Sequence, residues 1–449
     1  MKKFWMLGVV GIFFMLLLAA CGGNEETNGA EANEEETEQE STENTDEGTE
    51  TEEASSEPVE VDFWHAMSGP HEEAIKEFVE QFNSEHENIT VTPVNQGSYD
   101  DLEQKIMAAA KAKSLPTLAQ AVTNVVPEYI GNDFVSPLND FIEDEEIGLS
   151  DEELADYVDV FKESSSWDGT YYSLPFSKST RILFYNTGLL EEHNLEVPET
   201  WADIRNIAET VTGDGVVGMG FENSYEAEFQ AILKQLGGTY IDEATSEAQF
   251  ASEEGIKAMT MMKDMIDEGI ARTAGEDDYM SNPFGRGDVA MYIGSSAGIP
   301  HVGSAAEGNI EWSATTFPTL DGEAATSFAG NDIVMFNQAE EAEQKAAWEF
   351  MKFLTSPEVT AEWSMKSGYL PVRYSAQETS EYQAFVEENP EYEAGPQQFD
   401  AGFFIARVQG GDAVRNIVLE ETELILLGEK SVEEGLQSAQ DRANEALQK

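Results

Sequence analysis

Residues 59–122 read VEVDFWHAMSGPHEEAIKEFVEQFNSEHENITVTPVNQGSYDDLEQKIMAAAKAKSLPTLAQAV. The opening VEVDFW (59–64) alternates apolar and acidic side chains, the period-2 signature of a strand with one buried face. Across 71–85, Ala74, Ile75, Phe78, Val79 and Phe82 recur at helical spacing. ITVTPV (89–94) is a second strand, 99–113 a second helix with an alanine-rich middle, and LAQAV (118–122) a third strand. This βαβαβ rhythm predicts an α/β fold built on a parallel, doubly wound sheet.

The same alternation continues downstream. ILFY (182–185) reads as a strand leading into a helix from Thr187. Thr200 is placed to cap a helix that begins TWAD (200–203). VAMYI (289–293) and DIVMF (332–336) are further strands, 342–355 is a helix, and the chain from 412 onward is mostly helical. No internal repeat is present.

Upstream, Lys2 and Lys3 precede the apolar run FWMLGVVGIFFMLLLAA (4–20), which closes on Leu18-Ala19-Ala20-Cys21-Gly22. That is the pattern of a secretory signal, 1–20, with a lipobox-like cleavage site. A membrane-spanning anchor is the rival reading, and a run of about 17 residues sits at the short edge of what spans a bilayer. Cys21 is the only cysteine. Its expected use is as an acylated, palmitate-bearing N-terminus after cleavage, since each buried acyl CH₂ contributes about 0.8 kcal/mol of membrane affinity. Residues 24–58, NEETNGAEANEEETEQESTENTDEGTETEEASSEP, contain no aromatic and no basic residue. Such a stretch has too little apolar surface to offset its ordering entropy. Residues 21–57 are therefore expected to be a lipidated, disordered acidic tether between membrane and folded domain.

The chain carries 89 Asp and Glu against 24 Lys and Arg, a formal charge of −65. The tether accounts for only part of this, so the folded surface is acidic too. Nucleic acid, whose phosphates need basic patches, is excluded as a partner. Excess charge also keeps a protein soluble in a saline or alkaline medium. The 392 residues from 58 to 449 are too many for one small core and suit two lobes.

Most catalytic constellations are absent. The five histidines, His65, His71, His86, His193 and His301, form no HExxH or other tight ligand pair, and no CxxC exists. No metal and no cofactor is expected. There is no GxSxG elbow and no phosphate-binding GxxxxGK[ST] loop. A glycosidase carboxylate pair stays open, because carboxylate separation is a property of space and not of sequence. What the sequence does offer is polar, aromatic and glycine residues at the ends of strands, where open α/β sheets bind ligands. These are FWHAMSG (63–69), NQGSY (95–99), LPFSKST (174–180), GSSAG (294–298), FAGN (328–331) and SGYLP (367–371).

In this order, the segments FWHAMSG, QGSYDDLEQKI (96–106), LPFSKSTRILFYN (174–186), ETWADI (199–204), GDVAMYIGSS (287–296), SGYLPV (367–372) and AVRNIVLEE (413–421) resemble family 1 of the extracellular solute-binding proteins of ABC importers. That family includes the maltose-binding type, and the similarity is greatest to its sn-glycerol-3-phosphate-binding members, from Val61 to the C-terminus. The resemblance implies a two-lobe periplasmic-binding-protein-like fold of type II, each lobe a mostly parallel sheet flanked by helices, joined by hinge strands. The implied first lobe is 58–178 with 333–378, and the second is 179–332 with 379–449. Crossings are expected near 176–184, 328–336 and 372–376.

Carried over position by position, the resemblance puts Tyr99, Ser179, Ser295, Gly330, Tyr369 and Arg415 in a ligand pocket, with Thr123 or Asn124 where the family has a glutamate that grips glycerol hydroxyls. A tryptophan pair expected at 223–226 is missing, and Tyr225 is the nearest aromatic. Trp64, His65, Ser68, Tyr225 and Arg407 are secondary candidates. Hydroxyls of Ser179, Ser295, Tyr99 and Tyr369 can donate to anionic oxygens or exchange with ligand hydroxyls. A glycine at 330 lets backbone N–H groups approach closely. A guanidinium at 415 can grip phosphate by two hydrogen bonds at once. Lys178, Arg181 and Arg373 complete the local cations.

The expectation is a monomeric, lipid-anchored protein on the outer face of the cytoplasmic membrane. It would take sn-glycerol 3-phosphate or a glycerophosphodiester between its lobes and deliver it to the transmembrane subunits of an ABC permease, with no chemistry of its own. An oligosaccharide is the alternative ligand, a secreted glycoside hydrolase the alternative class, and a surface adhesin a third.

Overall fold

The computed structural model describes residues 58–405 and 407–448. The expected signal, Cys21 and the tether to 57 lie outside the described residues. One sheet organises the fold. Its strands are β1 (Val59–His65), β2 (Ile89–Asn95), β3 (Leu118–Val122), β4 (Ser173–Asn186), β5 (Val217–Phe221), β6 (Ala271–Thr273), β7 (Val289–Ser295), β8 (Trp312–Thr316), β9 (Thr326–Met335) and β10 (Gly402–Phe404). Their order is β6-β5-β7-β4-β9-β3-β1-β2, with β8 added to β4 and β10 to β9.

The two wings are parallel and the middle is antiparallel. β2-β1-β3 forms one parallel wing and β6-β5-β7 the other. β4 and β9 run antiparallel to each other and to their neighbours in the wings. β4 pairs with β9 over Ser173–Thr180 and then with β7 over Arg181–Tyr185. The polypeptide therefore passes from one wing to the other between Thr180 and Arg181.

Nine helices enter the argument: α1 (Pro70–Glu85), α2 (Tyr99–Ala112), α3 (Trp201–Val211), α4 (Glu226–Gln235), α5 (Glu253–Asp267), α6 (Glu341–Leu354), α7 (Pro357–Ser367), α8 (Gly411–Leu426) and α9 (Val432–Ala446). α1 buries Ala74, Ile75, Phe78, Val79 and Phe82, the stripe its spacing predicts. Fully burying Ile75, Phe78, Val79 or Phe82 stabilises by about 1.5–3 kcal/mol each. Ser98 and Asp101 form a reciprocal capping box at the start of α2, and Thr200 and Asp203 do the same for α3. Each such cap contributes about 1 kcal/mol and fixes where the helix begins.

Burial divides the molecule as the sheet does. One set of cores runs from Val61 to Phe176 and takes in Ile333, Trp348 and Val372. The other runs from Ile182 to Phe317 and takes in Val414, Leu436 and Ala443 from α8 and α9. Phe399 and Phe404 pack on the first set, against Phe161 and Phe328.

Candidate functional site

A cavity of about 510 Å³ opens where the two wings meet. This falls in the range of small-ligand sites, about 300–1,000 Å³. Tyr99, Asp100 and Glu103 of α2 line one side, with Thr123 and Asn124 just beyond β3. Ser179, Thr180 and Arg181 of β4 and Phe328, Ala329 and Gly330 of β9 form the floor. Glu222, Ser224, Glu226, Tyr279, Ser295, Asp412 and Arg415 line the other side. Of the sequence-predicted residues, Tyr99, Thr123, Ser179, Ser295, Gly330 and Arg415 thus meet in one cavity.

Gly330 sits at φ +105°, beside a register shift between β9 and β4 at Asn331/Asp332. A Cβ there would stand 1.9 Å from the Ser177 carbonyl oxygen. Only glycine fits this close approach of the two crossing strands. Behind the floor, Lys178 and Asp332 are each 0% exposed, with Nζ to Oδ1 at 2.7 Å. Lys178 also donates to Thr123 Oγ1 (2.8 Å), Thr123 donates to Asp332 Oδ2 (3.0 Å), and Ser165 donates to Asp332 Oδ1 (3.3 Å). Burial pushes the Lys178 pKa down and the Asp332 pKa up, and each partner's charge opposes the shift. Thr123 lines the cavity, but its hydroxyl proton is already given to Asp332.

On the first side, Asn331 Nδ2 donates to Tyr99 Oη at 2.7 Å, and Tyr369 Oη lies 3.5 Å from Tyr99 Oη. Tyr369 stands behind Tyr99 and not in the cavity lining. Its ring stacks on Trp363 at 5.7 Å and 8°, and Trp363 stacks on Phe176 of β4. The other side is a charged wall. Arg181 pairs with Glu222 (2.9 Å) and Glu228 (3.3 Å). Arg415 gives its Nε–H to Glu226 Oε1 at 2.9 Å, while both its Nη groups have no hydrogen-bond partner among the described residues. Burial raises the pKa of Glu222, Glu226 and Glu228, the last to about 8, and the guanidinium charges pull back. Each guanidinium in the lining therefore has a carboxyl partner, and among the described residues the cavity offers no uncompensated positive charge.

The remaining candidates lie elsewhere. Trp64 packs into the core beside α2. His65 is buried; its Nδ1 accepts from Met67 N at 3.3 Å, and burial lowers its pKa to about 4. Ser68 is exposed in the turn before α1. Tyr225 is buried with Oη donating to the Leu419 carbonyl (3.4 Å). Arg407 donates to the carbonyls of Glu163 and Ser166 at 2.8 and 3.0 Å. Arg373 is buried on the Tyr157 ring and 3.5 Å from Asp156.

Sequence reasoning left Glu222, Glu226, Tyr279, Asp412, Phe328 and Phe404 unassigned as ligand contacts. One signal was available for Glu222: it follows VGMGF (217–221), a strand end of the kind used elsewhere. Among the described residues no three His, Cys, Asp or Glu side chains are grouped to hold a metal ion. Nor is any helix there long and apolar enough to cross a membrane.

Comparison with known proteins places this geometry. The sn-glycerol-3-phosphate-binding periplasmic protein UgpB of Pectobacterium atrosepticum is 24% identical over 413 residues, covering 87% of this chain and 92% of that protein. The structure of the cyclic alpha-maltosyl-1,6-maltose binding protein of Arthrobacter globiformis superposes with a TM-score of 0.75 at 27% identity, covering 87% of this chain and 99% of that one. UgpB of Mycobacterium tuberculosis, in complex with glycerophosphocholine, superposes with a TM-score of 0.76 at 22% identity, covering 87% and 98%. Such neighbours establish the two-lobe binding-protein fold. A family model described as bacterial extracellular solute-binding protein matches residues 77–394. The chain belongs to the bacterial extracellular solute-binding proteins, which bind their substrates and do not transform them.

Proposed function

We propose that this protein captures a glycerophosphodiester with a cationic head group, glycerophosphocholine being the type case, and delivers it to an ABC import permease. One observation carries the choice of ligand: every guanidinium in the cavity lining is already paired to a carboxyl, yet Arg415 keeps two Nη groups without partners among the described residues. Such a site has donors for one phosphate oxygen pair but lacks the surplus positive charge that a phosphate monoester dianion needs. A zwitterion brings its own compensating charge, and Asp100, Glu103 and Asp412 in the lining suit its cationic end. The glycerophosphocholine complex of the Mycobacterium tuberculosis protein supports the diester, while the names of the curated relatives support a glycerol phosphate more broadly. Tyr99, Ser179, Ser295 and the backbone at Gly330 would hold the glycerol hydroxyls, with Tyr369 supporting Tyr99.

A neutral oligosaccharide is the second reading. It is favoured by the maltosyl-maltose binding protein, at 27% identity, and by the hydroxyl-rich floor. Calorimetry with glycerophosphocholine, sn-glycerol 3-phosphate and maltotriose separates the two. Glycerophosphocholine is expected to bind tightest, and Arg415→Ala to weaken it by about tenfold or more, the worth of a charged hydrogen bond. Binding of maltotriose alone, or an Arg415→Ala variant with unchanged affinity, overturns the diester assignment.

The reading includes the rest of the chain. Lobes of 58–178 with 333–378 and of 179–332 with 379–449 would close on the solute as rigid bodies, binding shifting an open–closed equilibrium. The two sets of cores support a division of this kind, except that Phe328, Phe399 and Phe404, which these bounds give to the second lobe, pack on the first set. Residues 1–20 would be removed, and acylated Cys21 with the tether to 57 would hold the monomer at the outer face of the cytoplasmic membrane.

A further inference from the structure

We propose that His71 and His301 form a latch between the two wings, a contact of two imidazoles that holds the closed arrangement while both rings are neutral and loosens it on acidification. His71 is the second residue of α1 in the first wing. His301 belongs to the helix Ile299–Ala306, whose Ile299 and Val302 are buried in the second set of cores. The two ring centroids lie 5.7 Å apart at 73°. Their contact continues a seam that starts at the crossing strands. There Ser296 Oγ accepts from Thr180 N (3.4 Å), and Leu370 N donates to the Lys178 carbonyl (2.6 Å). Between that point and the imidazoles the backbones of the two wings touch. A Cβ on Gly368, at φ +72°, would stand 2.5 Å from the Ser296 carbonyl oxygen and 3.3 Å from Ala297 Cα.

The two rings are held differently. His71 is half-buried, its ring 5.8 Å from that of Trp363 and 5.6 Å from that of Tyr369. Its Nε2–H donates to the Ser367 carbonyl at 3.2 Å. His301 is exposed and meets it from the other wing. Among the described residues no carboxylate pairs with either ring. On α1, Glu72 is held by Lys76 (2.6 Å) and Glu73 is exposed. On α7, Glu362 pairs with Lys366 (3.0 Å), Lys366 also pairs with Glu77, and Glu358 is exposed. The turn after α7 adds Tyr369, and the helix Ile299–Ala306 has no titratable residue besides His301. Burial first, and then the charge of His301, lowers the His71 pKa to about 4, while the Ser367 carbonyl pulls the other way. The part due to His301 exists only while the wings touch. A histidine freed from it moves back toward the ordinary value of about 6.5, so the open arrangement binds a proton that the closed one rejects. The latch is therefore fully present above about pH 6.5 and is lost as pH falls toward about 4. Glu103 and Asp412 act in the opposite sense, since protonation relieves their repulsion across the opening.

This inference rests on the reading of lobe closure around a solute but not on which solute is bound. The test is calorimetry on the full chain at about pH 7.5 and about pH 5.5, with glycerophosphocholine in one arm and maltotriose in the other. Neither probe titrates near neutral pH. Whichever binds is expected to bind about threefold to tenfold more weakly at the lower pH, tenfold being the limit for a histidine of ordinary pKa in the open arrangement. His71→Gln keeps a donor for the Ser367 carbonyl but takes up no proton, so its loss on acidification should shrink to within about twofold. His301→Gln, at an exposed position, should also reduce the loss, with affinity at about pH 7.5 changed by no more than about twofold. If His71→Gln shows the same change between the two pH values as the unmodified protein, the latch is refuted while the diester reading stands. If maltotriose binds, glycerophosphocholine does not, and His71→Gln still flattens the pH dependence, the diester reading falls and the latch stands. Binding of neither probe by the unmodified protein overturns both.

Discussion

Lys178 shows how a single side chain can be legible as a charge and illegible as a role. Its position in LPFSKST marks it as one of few cations near the expected pocket, yet it stands outside the cavity lining and holds β4 to β9 through Asp332. Removing one partner of a buried ion pair leaves the other charged and unsolvated, at a cost of about 3–5 kcal/mol. Asp332→Ala is therefore expected to lower unfolding free energy by about that much in urea titrations. The double variant Lys178→Met/Asp332→Leu, which leaves no orphan charge, should recover most of the loss. If the double variant is as unstable as the single one, the pair is stabilising through geometry that apolar packing does not replace. Tyr99, Ser179, Ser295, Gly330 and Arg415 were legible through the family resemblance, which carried them over position by position from the ordered segments around them. Glu226 and Tyr279 were not, because their position depends on how α4 and the segment before β7 turn toward β5, which no local pattern encodes.

At the scale of elements, β1, α1, β2, α2 and β3 follow from the sequence because each has one wet face and one dry face, so period reveals it. β4 is different. All fourteen of its positions are buried, because both its faces are covered, so alternation vanishes and only the apolar ILFY end reads as strand. Its polar centre, Ser177 to Arg181, is the price of passing between two wings and lining a cavity on the way. The crossing of β4 and β9 also makes the sharpest steric demand in the fold. Gly330→Ala adds a methyl group 1.9 Å from the Ser177 carbonyl at a backbone angle that L-residues avoid. It should cost at least about 2 kcal/mol of stability in denaturant titrations. Gly169→Ala is the control, since it shares a positive φ (+81°) but meets nothing within 4 Å, so it should cost only about 1 kcal/mol. Equal losses at the two sites would mean that backbone conformation alone, and not the approach of β4 to β9, makes Gly330 necessary.

At the scale of the whole molecule, two sets of cores meet along two crossing strands, and the cavity lies on that line. Groups from both sides must converge for a ligand to be held by all of them at once. Tyr99 and Thr123 belong to the first wing, Ser295 and Arg415 to the second. A solute that bonds to both sides favours the arrangement in which they are closest, and the shift in population equals its differential affinity for that arrangement. Carboxyls oppose this movement from either side. Burial raises the Glu103 pKa, and Asp412 from the other wing raises it further, so like charges face each other across the opening. In the proposed mechanism this repulsion would favour the open arrangement until ligand contacts offset it. Small-angle scattering of the full chain should show the radius of gyration fall on adding saturating glycerophosphocholine. Arg415→Ala at the same ligand concentration should remain at the larger value, because it would lose one of the proposed contacts between ligand and the second lobe. A profile unchanged by ligand that calorimetry shows to be bound would mean that the cavity takes its solute without closure, and that permease recognition must read something other than lobe position.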